Sequence, residues 1–143
     1  MNKPIYGKIF TKEDAEELFG KVIKSVDMST DEAINLLAKT DRYMMFNFVN
    51  DELIILNRNR KTIHGNYQPK SSEVFHVYRT SVFEELLAKY PNNKISFQLR
   101  EKKFSVENGN FVMEMTDPCP PFCGFDTTDF KIAKTKKEQN ITY

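Results

Sequence analysis

The sequence predicts an α+β fold of two layers, with about three helices packed on one face of a mainly antiparallel sheet of five to seven strands. Three observations support this fold class. Helix-start signals occur three times, an apolar hairpin pattern covers residues 43–56, and residues 95–113 alternate between apolar and polar side chains. The composition agrees, because 40% hydrophobic and 29% charged residues are typical of a globular chain.

The three helices are predicted from capping boxes, in which a Ser or Thr hydroxyl caps the first turn and a carboxylate follows three residues later. The pairs are Thr11 with Asp14, Ser29 with Glu32, and Ser81 with Glu84. Apolar residues at helical spacing extend the first helix as far as Val26. Pro91 ends the third helix, because a proline interrupts helical hydrogen bonding.

The segment 43–56 predicts the most buried part of the chain, a hairpin with a two-residue turn at 50–51. That turn pairs four large side chains on one face. They are Phe46 with Ile55, and Phe48 with Leu53. The opposite face carries Met45 and Leu56, so the hairpin needs cover on both sides. Shorter strands are predicted at 5–10 and 73–78.

Residues 95–113 predict a three-stranded antiparallel meander with one wet face. A turn at 101–102 pairs Leu99 with Phe104. Asn-Gly at 108–109 is typical of a type I′ turn, which would place Val106 opposite Phe111. Both turns put the large apolar side chains on one face and the polar ones on the other.

Charge, cysteine count and hydropathy predict a cytoplasmic protein without a membrane segment. The net charge is +1, so no global field attracts polyanions. The first residues lack the apolar run of a signal peptide, and no stretch approaches the roughly 18–20 apolar residues of a membrane span. Two cysteines are too few for a disulfide-stapled secreted scaffold.

The most unusual segment is a strap rich in Pro, Cys and Phe over residues 117–130. We expect it to belong to a single domain over 1–130, pinned by Phe122, Phe125 and Phe130 and followed by a basic, frayed tail over 131–143. Phe122 and Phe125 are candidate binding residues.

The cysteines of the strap, Cys119 and Cys123, have a spacing that favours neither redox nor metal chemistry. A redox pair prefers two intervening residues at a helix start. At ~3.1 Å per residue, an extended proline segment would hold their Cα atoms ~12 Å apart, beyond disulfide reach unless the chain turns sharply. Both are weak metal candidates, because zinc needs two further ligands, and we expect no metal and no cofactor.

The weak catalytic candidates are His76, Tyr78 and Cys119. On the predicted strand 73–78, His76 and Tyr78 share one face, so His76 is a possible general base. The alternative interpretation is a partly buried histidine that donates one hydrogen bond. The chain has no glycine-rich phosphate loop, no G-x-S-x-G and no H-E-x-x-H, which argues against an enzyme without excluding one.

The loop 58–70 carries the candidate binding residues Arg58, Arg60, Lys61 and Tyr67. Basic side chains beside an aromatic ring can hold phosphates and stack a base. The whole chain lacks the basic excess of dedicated nucleic-acid proteins, so a solvated loop is the favoured interpretation.

The leading hypothesis for function is a non-enzymatic protein-interaction or accessory module, with a protein partner or with itself as a homodimer. It depends on the hairpin 43–56 and on the aromatic strap, which suggest an interface. The first alternative is an enzyme or binding protein for a small ligand, with a pocket near His76, Tyr78 and Cys119. The second is weak nucleic-acid binding through the loop 58–70, the least favoured of the three.

Overall fold

The computed structural model describes residues 5–101, 103–114 and 116–123. These ranges contain ten strands and three helices. The strands are β1 (Lys8–Thr11), β2 (Val22–Ser29), β3 (Tyr43–Val49), β4 (Glu52–Leu56), β5 (Thr62–His64), β6 (Phe75–Arg79), β7 (Lys94–Arg100), β8 (Phe104–Asn108), β9 (Phe111–Glu114) and β10 (Asp117–Cys119). The helices are α1 (Lys12–Phe19), α2 (Thr30–Leu37) and α3 (Thr80–Lys89). Phe125, Phe130 and the tail 131–143 lie outside the described residues.

The strands form two antiparallel sheets of five strands each, which corrects the predicted single sheet with helices on one face. Sheet A has the order β1-β9-β8-β7-β2, and sheet B has the order β10-β6-β3-β4-β5. The class α+β is confirmed. The predicted layers were wrong because the meander and the hairpin 43–56 belong to different sheets, whose apolar faces pack against each other in a core that also takes side chains from the helices.

The predicted first helix was too long, because its second half is a strand. Gly20, with φ of 91°, ends α1 after eight residues, and β2 then pairs with β7. Val22, Ile23 and Val26 were assigned to the helix on spacing alone. Their β-branched side chains favour a strand once a glycine allows the chain to turn.

Two of the three predicted caps are confirmed. The Thr11 hydroxyl accepts a hydrogen bond from the Asp14 backbone N–H at 3.2 Å, and the Ser29 hydroxyl accepts one from the Glu32 N–H at 3.1 Å. The third capping box was wrong. Helix α3 follows β6 directly, with Arg79 as N-cap residue and no side-chain capping bond.

The predicted turns at 50–51 and 101–102 have the expected registers. Phe46 lies opposite Ile55, Phe48 opposite Leu53, and Leu99 opposite Phe104. The β8–β9 turn differs, because its central residues are Gly109 and Asn110. Of the two, Gly109 has the positive φ, as in a type II′ turn, and Val106 therefore lies opposite Met113. The partner of each paired β8 residue is thus two positions later in β9 than expected. Because side chains alternate with a period of two, the apolar residues stay on the same face.

The main core lies between the sheets, where Phe46 of sheet B meets Phe97 of sheet A with ring centroids 5.4 Å apart. Helices α2 and α3 contribute Leu36, Phe83 and Leu86 to it. The outer face of sheet B carries a second apolar cluster. Its fully buried members include Tyr6, Met45, Leu56, Phe75, Val77 and Cys119. The hairpin 43–56 is therefore covered on both faces within the chain and is not an exposed interface.

The meander has no wet face, which corrects a further expectation. Phe10 and Phe19 are in ring contact at 5.4 Å, so α1 lies on the outer face of sheet A. Beneath this layer, Arg100, Ser105 and Glu114 are almost or completely inaccessible to solvent. Within the described residues, no helix has the length and apolar character needed to cross a membrane.

Candidate functional site

The two cysteines of the strap lie together on the outer face of sheet B. Strand β10 pairs with β6 so that Cys119 lies opposite Phe75. The chain then turns, with the Phe122 N–H donating to the Pro118 carbonyl at 2.8 Å and cis peptide bonds before Pro120 and Pro121. The Cα atoms of Cys119 and Cys123 are 4.8 Å apart and the sulfurs form a disulfide. The ~12 Å expected of an extended segment was therefore wrong.

Arg60 connects the predicted basic loop to this disulfide. Its Nη1 donates to the Cys119 carbonyl at 3.0 Å and lies 3.4 Å from the Cys119 sulfur. Its Nη2 donates to the carbonyls of Lys70 at 3.0 Å and Glu73 at 2.7 Å. Burial lowers the pKa of Arg60, and the charge of Glu73 opposes that effect. Arg60 thus faces inward and holds the strap, rather than extending toward a phosphate backbone.

Tyr67 supports the same region through Glu73. The Tyr67 hydroxyl donates to the Glu73 carboxylate at 2.6 Å, and the Lys70 backbone N–H donates to the same oxygen at 2.7 Å. These bonds lower the pKa of Glu73, and the bond to Glu73 raises the pKa of Tyr67. The Glu73 carboxylate is therefore kept ionised, and it lies close to the backbone carbonyls that accept hydrogen bonds from Arg60.

The other two candidate cations of the loop, Arg58 and Lys61, have different contacts from Arg60. The Arg58 guanidinium lies 3.4 Å from the Asp41 carboxylate and 5.9 Å from the centre of the Tyr43 ring. Lys61 is exposed, and its backbone N–H donates to the Asn57 side chain at 3.0 Å. Arg58 and Arg60 thus have different partners, with Arg58 beside Asp41 and Arg60 beside the strap.

Phe122, in the described part of the strap, has 38% of its area exposed. Its carbonyl accepts a hydrogen bond from the Tyr6 hydroxyl at 3.1 Å. The Asp117 carboxylate accepts the backbone N–H groups of Ile5 and Tyr6 at 2.7 and 2.8 Å. The strap therefore fastens the segment that precedes β1. Phe125, the other aromatic candidate of the strap, lies outside the described residues.

The structure brings His76 and Tyr78 onto one face of β6, as expected, but it places Cys119 on the opposite face. The His76 ring stacks on Phe104 with centroids 4.0 Å apart. Burial, with a smaller contribution from Lys103, lowers the pKa of His76 to about 4. Burial also raises the pKa of Tyr78, which has no exposed area. The three residues do not meet in one pocket, which removes the geometric basis for the proposed acid–base site.

Two depressions of the described residues are lined by residues other than His76, Tyr78 and Cys119. A depression of about 590 Å³ is lined by residues 38–41 and 57–59. Another of about 440 Å³ is lined by Arg60, Lys61, Gln68, Pro69 and two further polar residues. The described residues contain no cluster of three or more His, Cys, Asp or Glu side chains that would suit a metal ion.

Sequence reasoning missed a buried polar network on the outer face of sheet A. Arg100 donates from Nη1 to the Gly20 carbonyl at 2.8 Å and from Nε to the Ser105 hydroxyl at 3.0 Å. Its Nε also lies 3.1 Å from the Glu114 carboxylate. Burial raises the pKa of Glu114 to about 8, although Arg100, Ser105 and Lys103 lower it. Strict alternation assigned these side chains to solvent, and the only available signal was that an amphipathic α1 needed a sheet face to cover.

Comparison of the chain with protein-family models, with curated proteins and with solved structures finds no significant match. Any functional assignment therefore depends on the geometry of this chain.

Proposed function

We propose that this protein is a non-enzymatic interaction module that self-associates through the exposed edge of β2. The observation that supports the proposal is that β2 lies at the end of sheet A, is eight residues long and has β7 as its neighbour on one side. A strand of this kind presents backbone N–H and C=O groups for pairing with another strand.

Apolar side chains flank this edge. Ile23 is 64% exposed, Val22 41%, and Leu18 at the end of α1 is 53% exposed. Edge strands are commonly protected by charged side chains, and β2 carries two, Lys24 and the exposed Asp27. We therefore place the contact around Ile23 and Lys24, away from the Asp27 carboxylate. The Lys24 ammonium is paired with the Asp51 carboxylate at the turn between β3 and β4, so its charge is neutralised within the chain. The ladder of β2 with β7 has a register irregularity between Val22 and Lys24, so residues 24–29 form the regular part of the strand and Ile23 lies immediately beside it.

A second copy of the chain fits this edge better than an unrelated strand for two reasons. A net charge of +1 gives little repulsion between copies. Two-fold symmetry also pairs the β2 edge of one copy with the β2 edge of the other, so both copies lose their exposed edge in one interface. In an antiparallel pair, two residues that lie opposite each other either both bond across the pair or both do not. The two-fold axis must therefore place even-numbered residues opposite even-numbered ones, and odd opposite odd. Registers with Ser25 opposite Ser25, or Val26 opposite Val26, meet this condition.

The test is sedimentation velocity of the full chain over a concentration series up to about 100 μM, with Ile23→Lys as the variant. Burying the exposed part of Ile23 in both copies is worth about 2–4 kcal/mol, so the variant should weaken the dimer about 30-fold or more. Ile34→Lys is the matched control, because Ile34 is 53% exposed on α2, and it should leave the dimer unchanged. A wild-type protein that remains monomeric across the series, or equal effects of both variants, would contradict the proposal.

A further inference from the structure

The two sulfurs of the strap differ in surroundings. Cys119 has no exposed area and lies within the apolar cluster on the outer face of sheet B. Cys123 is only partly buried and packs at the margin of that cluster. A thiol approaching from solvent therefore reaches the sulfur of Cys123 first.

The buried sulfur is the one that a cation contacts. Arg60 Nη1 lies 3.4 Å from the Cys119 sulfur, and the same guanidinium is fixed by the carbonyls of Cys119, Lys70 and Glu73. All three fixing groups are neutral carbonyls, so among the described residues no carboxylate is hydrogen-bonded to Arg60. The Glu73 carboxylate acts on Arg60 through space while bonded to Tyr67 and to the Lys70 N–H.

We propose that Cys119–Cys123 is a thiol–disulfide exchange site for a low-molecular-weight thiol, with Cys123 as the attacked sulfur and Cys119 as the leaving group. This inference does not depend on self-association through β2. It uses the part of the loop 58–70 and the strap that the proposed function leaves unexplained.

The exchange balances in two steps. An external thiolate bonds to the Cys123 sulfur, the bond between Cys123 and Cys119 breaks, and Cys119 leaves with the electron pair as a thiolate beside Arg60. A second external thiolate then attacks the sulfur that the first one contributed, which releases the oxidised small-molecule disulfide and the Cys123 thiolate. Both protein thiolates take up protons according to pH. In total, one protein disulfide is reduced and two small thiols are oxidised.

Arg60 is a positioning residue in this scheme, because a cation beside a thiol lowers its pKa and a leaving thiol of lower pKa departs faster. Burial of Cys119 acts in the opposite direction, since it disfavours the charged form. The described neighbours on the same face are apolar or aromatic, with Met45 and Phe75 among them, so Arg60 and Glu73 are the charged groups of the described residues that act on Cys119.

The first experiment treats the oxidised full chain with reduced glutathione, quenches with acid and maps the mixed disulfide by mass spectrometry. We expect glutathione on Cys123, and a rate on the order of three- to ten-fold slower in Arg60→Met. Lys61→Met is the matched control, because it removes a neighbouring charge that does not contact the sulfur, and its rate should equal that of wild type. Glutathione on Cys119, or equal rates in Arg60→Met and wild type, would overturn the proposal.

A second measurement covers the case in which Arg60→Met does not fold, because its carbonyl partners are then left unpaired. The chain has two cysteines, so Cys123→Ser leaves Cys119 as the sole thiol. Its thiolate, followed by ultraviolet absorbance against pH, should form with a pKa below the ordinary value of about 8.5. Adding Arg60→Lys, which retains a cation without the planar contact, should move the pKa upward. A Cys119 pKa at or above the ordinary value would overturn the role of Arg60.

Discussion

Replacing Glu114 with glutamine should change how the stability of the protein depends on pH. Glu114 has no exposed area and lies on the outer face of sheet A, 3.1 Å from Arg100 Nε. Because removal from water outweighs Arg100, the pKa of this carboxyl rises from 4.5 to about 8. Glutamine has nearly the same shape and is neutral at every pH, so Glu114→Gln removes the titration while keeping the packing.

The sign follows from proton linkage. Below pH 4.5 the carboxyl is protonated in both the folded and the unfolded chain, and its contribution to stability is fully present. As pH rises toward about 8, the unfolded chain releases the proton while the folded chain keeps it, so stability falls by up to about 1.4 kcal/mol per pH unit. Between pH 5 and 8 the wild type should lose about 3–4 kcal/mol through this group.

In the wild type, the titration of His76 offsets part of the stability that the titration of Glu114 removes. The pKa of His76 is lowered from 6.5 to about 4, so its contribution is present above pH 6.5 and is lost as pH falls toward about 4. Between pH 4.5 and 6.5 the two groups act in opposite directions and nearly cancel. The wild type should therefore show a flat profile there and a fall of about 2 kcal/mol between pH 6.5 and 8.

The assay is urea unfolding followed by far-ultraviolet circular dichroism at several values between pH 5 and 8, since the chain has no tryptophan. The stability of Glu114→Gln minus that of wild type should increase across this range. Glu16→Gln, which removes an exposed carboxylate on α1, controls for the loss of one negative charge. If Arg100 outweighed burial, the difference would stay constant above pH 5 and the variant would be less stable throughout, which would refute the reasoning.

Two further predictions concern local structure and use the same unfolding assay. Gly109→Ala should destabilise the protein by about 1–3 kcal/mol, because φ is +59° and the new Cβ would lie 2.4 Å from the Tyr90 ring. The double variant with Tyr90→Ala should recover the part due to the clash. Ser29→Ala should cost about 1 kcal/mol by removing the cap of α2, whereas exposed Ser25→Ala on β2 should have little effect.

The hairpins could be predicted from sequence because their signals are local. Positive φ at Asn50 and Asp51 suits a type I′ turn, and period-two alternation then decides which side chains share a face. The changed register at Gly109 left every side chain on its expected face, because the pairing moved by two residues rather than by one. The α1–β2 boundary was missed because Val22, Ile23 and Val26 satisfy helical spacing as well as a strand does, and pairing with β7 decides between them.

The division into two sheets depends on contacts that local patterns do not contain. The hairpin 43–56 was correctly expected to need cover on both faces, yet nothing in its own residues says whether a helix, a sheet or another chain provides it. Sheet A covers one face through Phe97, and the segment that contains Tyr6 contributes to the cover of the other. These partners are separated from the hairpin by tens of residues in the chain.

The candidate site was predicted in parts and assembled only by the fold. Arg60, Tyr67 and Cys119 were each singled out from sequence, Arg60 to hold a phosphate, Tyr67 to stack a base, and Cys119 as a catalytic or metal candidate. Pairing of β10 with β6 brings Cys119 next to Arg60, from which it is separated by 59 residues along the chain. A cation that looks fully solvent-exposed in a polar loop is thereby half-buried, with its Nη1 3.4 Å from the Cys119 sulfur. The chemistry of this site consequently follows from the position of β10 at the edge of sheet B, which no spacing motif within the loop or the strap encodes.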